Sequence, residues 1–181
     1  MRAQRPGKLI TDQYRDLNKQ LHTRKPNYGT SGALYADIIE QLVDICGART
    51  ILDYGCGKGT LSEALPHLEI TEYDPCIPGK DQHPQRHDLV ICSDVLEHIE
   101  PELIDNVLDD LQALTGSMLF CLIATSKAHK SLADGRNAHL IVEPYQWWLP
   151  KLWSRFRIED FQIMGSEAFI ISLRSLDEAS D

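Results

Sequence analysis

Apolar residues in this chain recur with two periods, and the alternation of the two predicts an α/β fold. Near the N-terminus Ile10, Tyr14, Leu17 and Leu21 repeat at intervals of three and four, which predicts a short amphipathic helix inside an arm ending near Pro26. The turn-rich stretch NYGTSG (27–32) leads into a second helix carrying Leu34, Ile38, Ile39, Leu42, Val43 and Ile45, with its stop at Gly47. Apolar runs at 50–54, 69–73, 88–92 and 118–124 read as buried strands. A helix over 60–65 follows the first run. Another, from about Pro101, presents Leu103, Val107, Leu111 and Leu114 on one face and stops at Gly116. Residues 76–87 hold three Pro/Gly and no period, so they read as loop. A helical stretch over 144–156, interrupted at Pro150, precedes two closing strands at 158–164 and 168–173. Strands alternating with helices of this length imply a mostly parallel sheet covered on both faces, and the short last connection implies an antiparallel hairpin.

The chain has 181 residues, 43% hydrophobic and 25% charged, which suits one soluble globular domain (27–181) behind a basic arm (1–26). Apolar runs are too short for a membrane helix, and nothing resembles a secretory signal. Five cysteines without a CxxC pair fit free thiols in a reducing, cytoplasmic setting. Charge is uneven. Residues 1–25 carry seven Lys/Arg against two Asp, a net +5, whereas the remainder carries 11 against 25, a net −14. An acidic body repels phosphate backbones, so nucleic acid is not the expected partner. Nothing in the sequence decides the oligomeric state.

The most informative stretch is ILDYGCGKGT (51–60). A buried strand runs into Asp53, Gly55, Gly57 and Gly59 before a helix begins. Glycines are needed where backbone must turn tightly and admit a ligand without a Cβ in the way, and the helix start offers unpaired N–H groups. Asp74, 21 residues after Asp53, ends the second strand, where a carboxylate can accept from both ribose hydroxyls of a nucleoside cofactor. The spacing is GxGxG rather than GxGxxG, and no GxxxxGK[ST] phosphate cradle is present, which weighs against NAD and ATP.

These residues, with EYDP (72–75) and HDLVICSDVLEHI (87–99), resemble the class I S-adenosylmethionine (SAM)-dependent methyltransferases over about residues 28–173. The resemblance implies a Rossmann-like doubly wound sheet and a SAM cofactor. It implies that Gly55, Cys56 and Gly57 pass under the methionine and ribose, that Asp53 orients that loop or meets the amino group through water, and that Asp74, with Pro75 beside it, holds the ribose diol. Ser93 and Asp94 would line the methionine side, and the LEH signature falls on Leu96, Glu97 and His98. One departure stands out. Only 13 residues separate Asp74 from Asp88, too few for a strand–helix–strand passage, so the usual edge strand is expected to be missing. Asp81 and Gln82 in that loop become candidates for the adenine contact.

Methyl transfer to a hydroxyl or a protonated amine also needs a base. His98 and His139, at the carboxyl ends of strands, are the candidate catalytic residues. Arg136 and Asn137 beside His139 are candidates for acceptor binding. Tyr14, Tyr28 and Tyr35 flank the arm, which in the resembled family often closes over the cofactor. Of Trp147, Trp148 and Trp153, one is a candidate apolar wall at the active-site mouth, since adjacent indoles cannot share one helix face, and packing against the sheet is the favoured reading. Cys76, His83 and His87 fall short of a metal ligand set, so no metal is expected. Cys56 and Cys92 read as small apolar fillers. The leading expectation is methylation of a small-molecule or sugar-like acceptor. Methylation of RNA or protein guided by the basic arm, and a SAM-binding module without turnover, stay open.

Overall fold

In the computed structural model, residues 7–176 are described. The first six residues of the arm, with Arg2 and Arg5, and the last five of the expected 27–181 domain lie outside the described residues.

The elements run α1 (Asp12–Arg24), α2 (Ala36–Cys46), β1 (Ile51–Tyr54), α3 (Thr60–Ala64), β2 (Ile70–Tyr73), β3 (His87–Ser93), α4 (Ile104–Leu114), β4 (Thr115–Ala124), α5 (Tyr145–Trp153), β5 (Phe156–Met164) and β6 (Ala168–Ser175). They build one six-stranded sheet of order β2-β1-β3-β4-β6-β5. The β1–β2, β1–β3 and β3–β4 pairs are parallel, and the β4–β6 and β6–β5 pairs are antiparallel. Residues 76–86 form no strand, so β2 is left at the edge, as the short spacing implied.

Period-two alternation explains how both faces are covered. Leu89, Ile91, Met118 and Phe120 pack with Ile39 and Leu42 of α2 and Leu61 of α3. Val90, Cys92, Leu119 and Cys121 turn the other way, onto Val107, Leu108 and Leu111 of α4 and Trp148 and Leu152 of α5. A third, smaller cluster joins Ile10, Tyr14 and Leu21 to Tyr28, Cys76, Leu132 and Ala138. It seats α1 across the carboxyl ends of the strands. Among the described residues no helix is long and apolar enough to cross a membrane.

Two local expectations are corrected. Gly116 does not stop a helix; α4 ends at Leu114 and β4 starts at once, with Gly116 its second residue. A Cβ on Gly116 would lie 2.8 Å from the His87 carbonyl oxygen, so this glycine lets β4 approach β3 closely. Pro150 does not interrupt α5, which runs continuously through it. The helix gives up the bond that an N–H at 150 would make, and burial of Trp148 and Leu152 holds it in place.

Candidate functional site

The site grows out of the turn after β1. Gly55 N–H and Cys56 N–H both donate to the Tyr73 carbonyl, at 2.7 and 3.0 Å, which pins the turn to the end of β2. Gly57 N–H donates to Asp74 Oδ2 at 3.2 Å, and Cys76 N–H donates to Asp74 Oδ1 at 2.8 Å. A carboxylate has about four acceptor positions. Two remain on Asp74, which is buried at the floor of the cleft.

The segment leading out of α1 lies directly on the turn. Lys58 N–H donates to the Gly29 carbonyl at 2.8 Å, and Lys58 Nζ to the carbonyls of Pro26 and Lys25 at 2.6 and 3.2 Å. At its other end α1 is tied down by Thr11, whose N–H and hydroxyl donate to the two oxygens of Glu100 at 2.8 and 2.6 Å. Between these ties the helix roofs a cleft of about 670 Å³, within the roughly 300–1,000 Å³ usual for small-molecule sites. Gly55, Gly57, Asp74 and Pro75 form the floor, Tyr14, Asn18 and His22 the roof, and Asp94, His98 and His139 the far wall.

The roof residues are spaced by four on one face of α1, and each carries an orphan atom. Tyr14 OH, Asn18 Oδ1 and His22 Nδ1 are buried without a partner, and such groups cost free energy unless something meets them. Neither Asn18 nor His22 emerges from the sequence pattern. A polar i, i+4 stripe on the apolar side of the helix was the available signal.

The far wall is built from the turn after β3 and the loop after β4. Asp94 holds a left-handed backbone conformation (φ 54°), unusual outside glycine, and burial raises its carboxyl above the usual range. Glu97 is completely buried. Its Oε1 accepts from Ala124 N–H at 3.1 Å, and its Oε2 has no partner. Burial, then the neighbouring Asp94 charge, pushes the Glu97 carboxyl up to about 8. His98 Nδ1 lies 2.8 Å from the Ala138 carbonyl and His139 Nδ1 2.6 Å from the Ser126 carbonyl. A carbonyl only accepts, so each ring carries its proton on Nδ1 and leaves Nε2 with a lone pair. The rings stand edge to face, 4.8 Å between centroids. Burial, then His139, drives His98 down to about 3, so it is neutral and only weakly basic.

Other expected residues fall elsewhere. Asp53, Cys56 and Ser93 do not line the cleft. Burial, then the Glu72 charge, pushes the buried Asp53 carboxyl up to about 7, and burial raises the Cys56 and Cys92 thiols, which keeps them protonated. Tyr28 lines the cleft and Tyr35 does not; Arg136 ion-pairs with Asp134 at 2.8 Å, and Asn137 closes its own loop on Ala128. Asp81 accepts from Gly79 N–H, and neither it nor Gln82 reaches the main cleft. The tryptophans do not line the cleft, and packing, the favoured reading, holds for Trp147 and Trp148. Trp148 lies in the core, Trp147 packs at its edge under Lys151, and Trp153 is exposed. Cys76, His83 and His87 are not brought together: Cys76 sits in the α1 cluster, His83 bonds Asp110 and His87 bonds Thr71.

Known proteins bear on this geometry. The structure is similar to a 1,6-didemethyltoxoflavin-N1-methyltransferase of Burkholderia thailandensis, with TM-score 0.65 and 16% identity over 95% of this chain and 94% of that one. It is also similar to a magnesium protoporphyrin IX methyltransferase of Synechocystis PCC 6803, with TM-score 0.60 and 15% identity over 93% and 90% of the two chains. The N-methyltransferase NodS of Bradyrhizobium japonicum WM9 gives TM-score 0.54 and 14% identity over 89% and 88%. All three were solved with S-adenosylhomocysteine (SAH) bound. No curated protein sequence matches the chain significantly. A family model described as Methyltransferase domain matches residues 15–162. The glycine turn, the Asp74 carboxylate and that match lead to one assignment: the chain belongs to the methyltransferase-domain family, as a class I SAM-dependent methyltransferase.

Proposed function

We propose that this enzyme methylates a small, polar acceptor held between α1 and the far wall of the cleft. The observation that carries this reading is the roof. A helix tied down at both ends, by Thr11–Glu100 and by Lys58–Gly29, bounds the single chamber holding the Asp74 floor and the His98–His139 wall. A chamber of about 670 Å³ suits SAM with a metabolite-sized acceptor rather than a folded macromolecule. Two of the structural relatives are named for small acceptors, 1,6-didemethyltoxoflavin and magnesium protoporphyrin IX.

The residues present fit the cofactor. Gly55 and Gly57 pack without a Cβ against Val95 and the Gly29 backbone and present main chain to the cleft, the two open acceptor positions of Asp74 suit a ribose diol, and the orphan atoms of Tyr14, Asn18 and His22 supply polar contacts from above. Bound SAM supplies a methyl group made electrophilic by its sulfonium. The chain positions the acceptor against it and excludes water, and alignment alone accounts for much of such a rate. In this reading the described part of the 1–26 arm, from residue 7 on, acts as a lid, Asp53 and Cys56 support the floor from behind, Ser93 supports Asp94, and His98 and His139 face the acceptor. All five cysteines are free and four are buried, which supports a cytoplasmic, reducing setting.

Incubating the full chain with SAM and separate pools of hydroxyl- and amine-bearing metabolites, RNA and protein tests this directly. SAH release with a metabolite gaining one methyl is the expected result. Product only from RNA or protein overturns the small-acceptor reading. Replacing Asn18 with leucine tests the roof: SAH affinity should fall about tenfold by calorimetry, from the loss of one hydrogen bond. The melting temperature should hold or rise, because an orphan polar atom is removed. Lower stability with unchanged SAH affinity would show that Asn18 serves packing alone.

A further inference from the structure

We propose that Glu97, His98 and His139 form a binding site for one divalent transition-metal cation on the acceptor side of the cleft. One ligand-type atom from each lies within 4.8 Å of the others. The Glu97 carboxylate is completely buried, with Oε1 committed to Ala124 N–H and Oε2 facing no donor. A buried carboxylate oxygen without a donor is costly in a folded protein unless a cation or a proton compensates it. The two imidazoles are held in one tautomer by the carbonyls of Ala138 and Ser126, so Nε2 is the free nitrogen of each. That is the outer-shell arrangement of metal-binding histidines, in which the far ring nitrogen donates to a carbonyl and fixes both tautomer and ring direction.

The donor set decides the class of ion. Two imidazole nitrogens and one carboxylate oxygen suit Mn²⁺, Fe²⁺, Co²⁺ or Zn²⁺ better than Mg²⁺ or Ca²⁺, which prefer oxygen. Three protein ligands leave positions open for an exogenous group, as in catalytic rather than structural centres. His98 and His139 line the cleft, so an acceptor in it can reach those positions. Asp94, whose charge acts on both Glu97 and His139, adds negative potential nearby.

The site deepens the proposed function and rests on it for its role. A hydroxyl coordinated there would lose its proton to solvent water and keep a lone pair on oxygen that attacks, because a bound cation lowers the pKa of its ligand by several units. His139 then serves as a ligand rather than as the base, which removes the need for a proton store among residues where His98 is too weakly basic to provide one.

The test uses tag-free full-length protein stripped with a chelator and titrated with Co²⁺, followed by calorimetry and by visible absorption of the bound ion. One Co²⁺ per chain with nitrogen-type ligand-field bands is expected. Glu97→Gln and His139→Ala should each weaken binding by more than about 100-fold, beyond the roughly 10–100-fold loss that follows removal of an outer-shell partner alone. SAH binding to Glu97→Gln should stay within about twofold of wild type, because Glu97 does not touch the cofactor floor; this also shows that the variant folds. Absent Co²⁺ binding, or equal binding by wild type and both variants, overturns the site. Co²⁺ binding by a chain that binds no SAH leaves the cation site standing and overturns the methyltransferase role given to it.

Discussion

Asp74→Ala is expected to weaken SAH binding by about 10–100-fold, or roughly 1.4–2.8 kcal/mol. Hydrogen bonds to a charged group contribute about 1.5–3 kcal/mol each, and the two acceptor positions left on this carboxylate are the ones proposed for the ribose. The change also strips partners from two backbone donors, since Gly57 N–H and Cys76 N–H both end on Asp74. Stability therefore falls too, by about 1–3 kcal/mol for each donor left buried and unpaired. At about 2–4 °C per kcal/mol for a chain of this size, the melting temperature should drop visibly. Asp74→Asn separates the two effects. Its amide oxygen can still take Cys76 N–H, whereas its NH₂ cannot accept from Gly57, so it should recover part of the stability and little of the affinity. Calorimetric titration with SAH beside thermal melts reads both. Wild-type SAH affinity in Asp74→Ala would show that this carboxylate does not hold the ribose.

The parts of this molecule that sequence made legible are those determined by near neighbours. Leu89, Val90, Ile91 and Cys92 are all buried because helices cover both faces, and an unbroken apolar run says as much. The missing edge strand follows from chain length alone between Asp74 and Asp88. The glycine turn is contiguous, and so is its meaning. What stayed hidden depends on groups distant along the chain. Gly116 looked like a helix stop, yet its role is set by the His87 carbonyl on a neighbouring strand. Adjacent tryptophans are compatible with packing or with an active-site wall, and which one holds depends on the sheet face that receives them, here one packed against α4 and away from the cleft. The arm's helix was visible as a period, while its service as a roof depends on Glu100, 89 residues from Thr11. Glu97 was overshadowed by the histidine beside it. Its importance comes from complete burial against Ala124 and Asp94, which a linear pattern does not register.

Gly57→Ala should be the most damaging small substitution in the cleft, and its cause can be isolated. Gly57 has φ 54°, and a Cβ there would lie 2.6 Å from the Gly29 carbonyl oxygen and 2.7 Å from Gly29 Cα. Backbone meets backbone at this point, so no side chain can swing away. Gly79 is the control, with φ 88° and nothing within 4 Å of its added Cβ. Gly79→Ala therefore reports only the left-handed strain, about 1–2 kcal/mol, and should lower the melting temperature by a few degrees with SAH affinity unchanged. Gly57→Ala bears the same strain and must also push the 25–29 segment off the turn, which breaks the Lys58–Gly29 bond and lifts the end of the roof that carries His22. Floor and roof fail together. SAH affinity should fall at least about 100-fold, equivalent to some 2.8 kcal/mol, and the amide of Lys58 should exchange with solvent far faster than in Gly79→Ala. Binding of SAH by Gly57→Ala within twofold of the control would mean that the contact between the two glycine backbones is incidental, and with it the claim that the arm and the turn form one cofactor chamber.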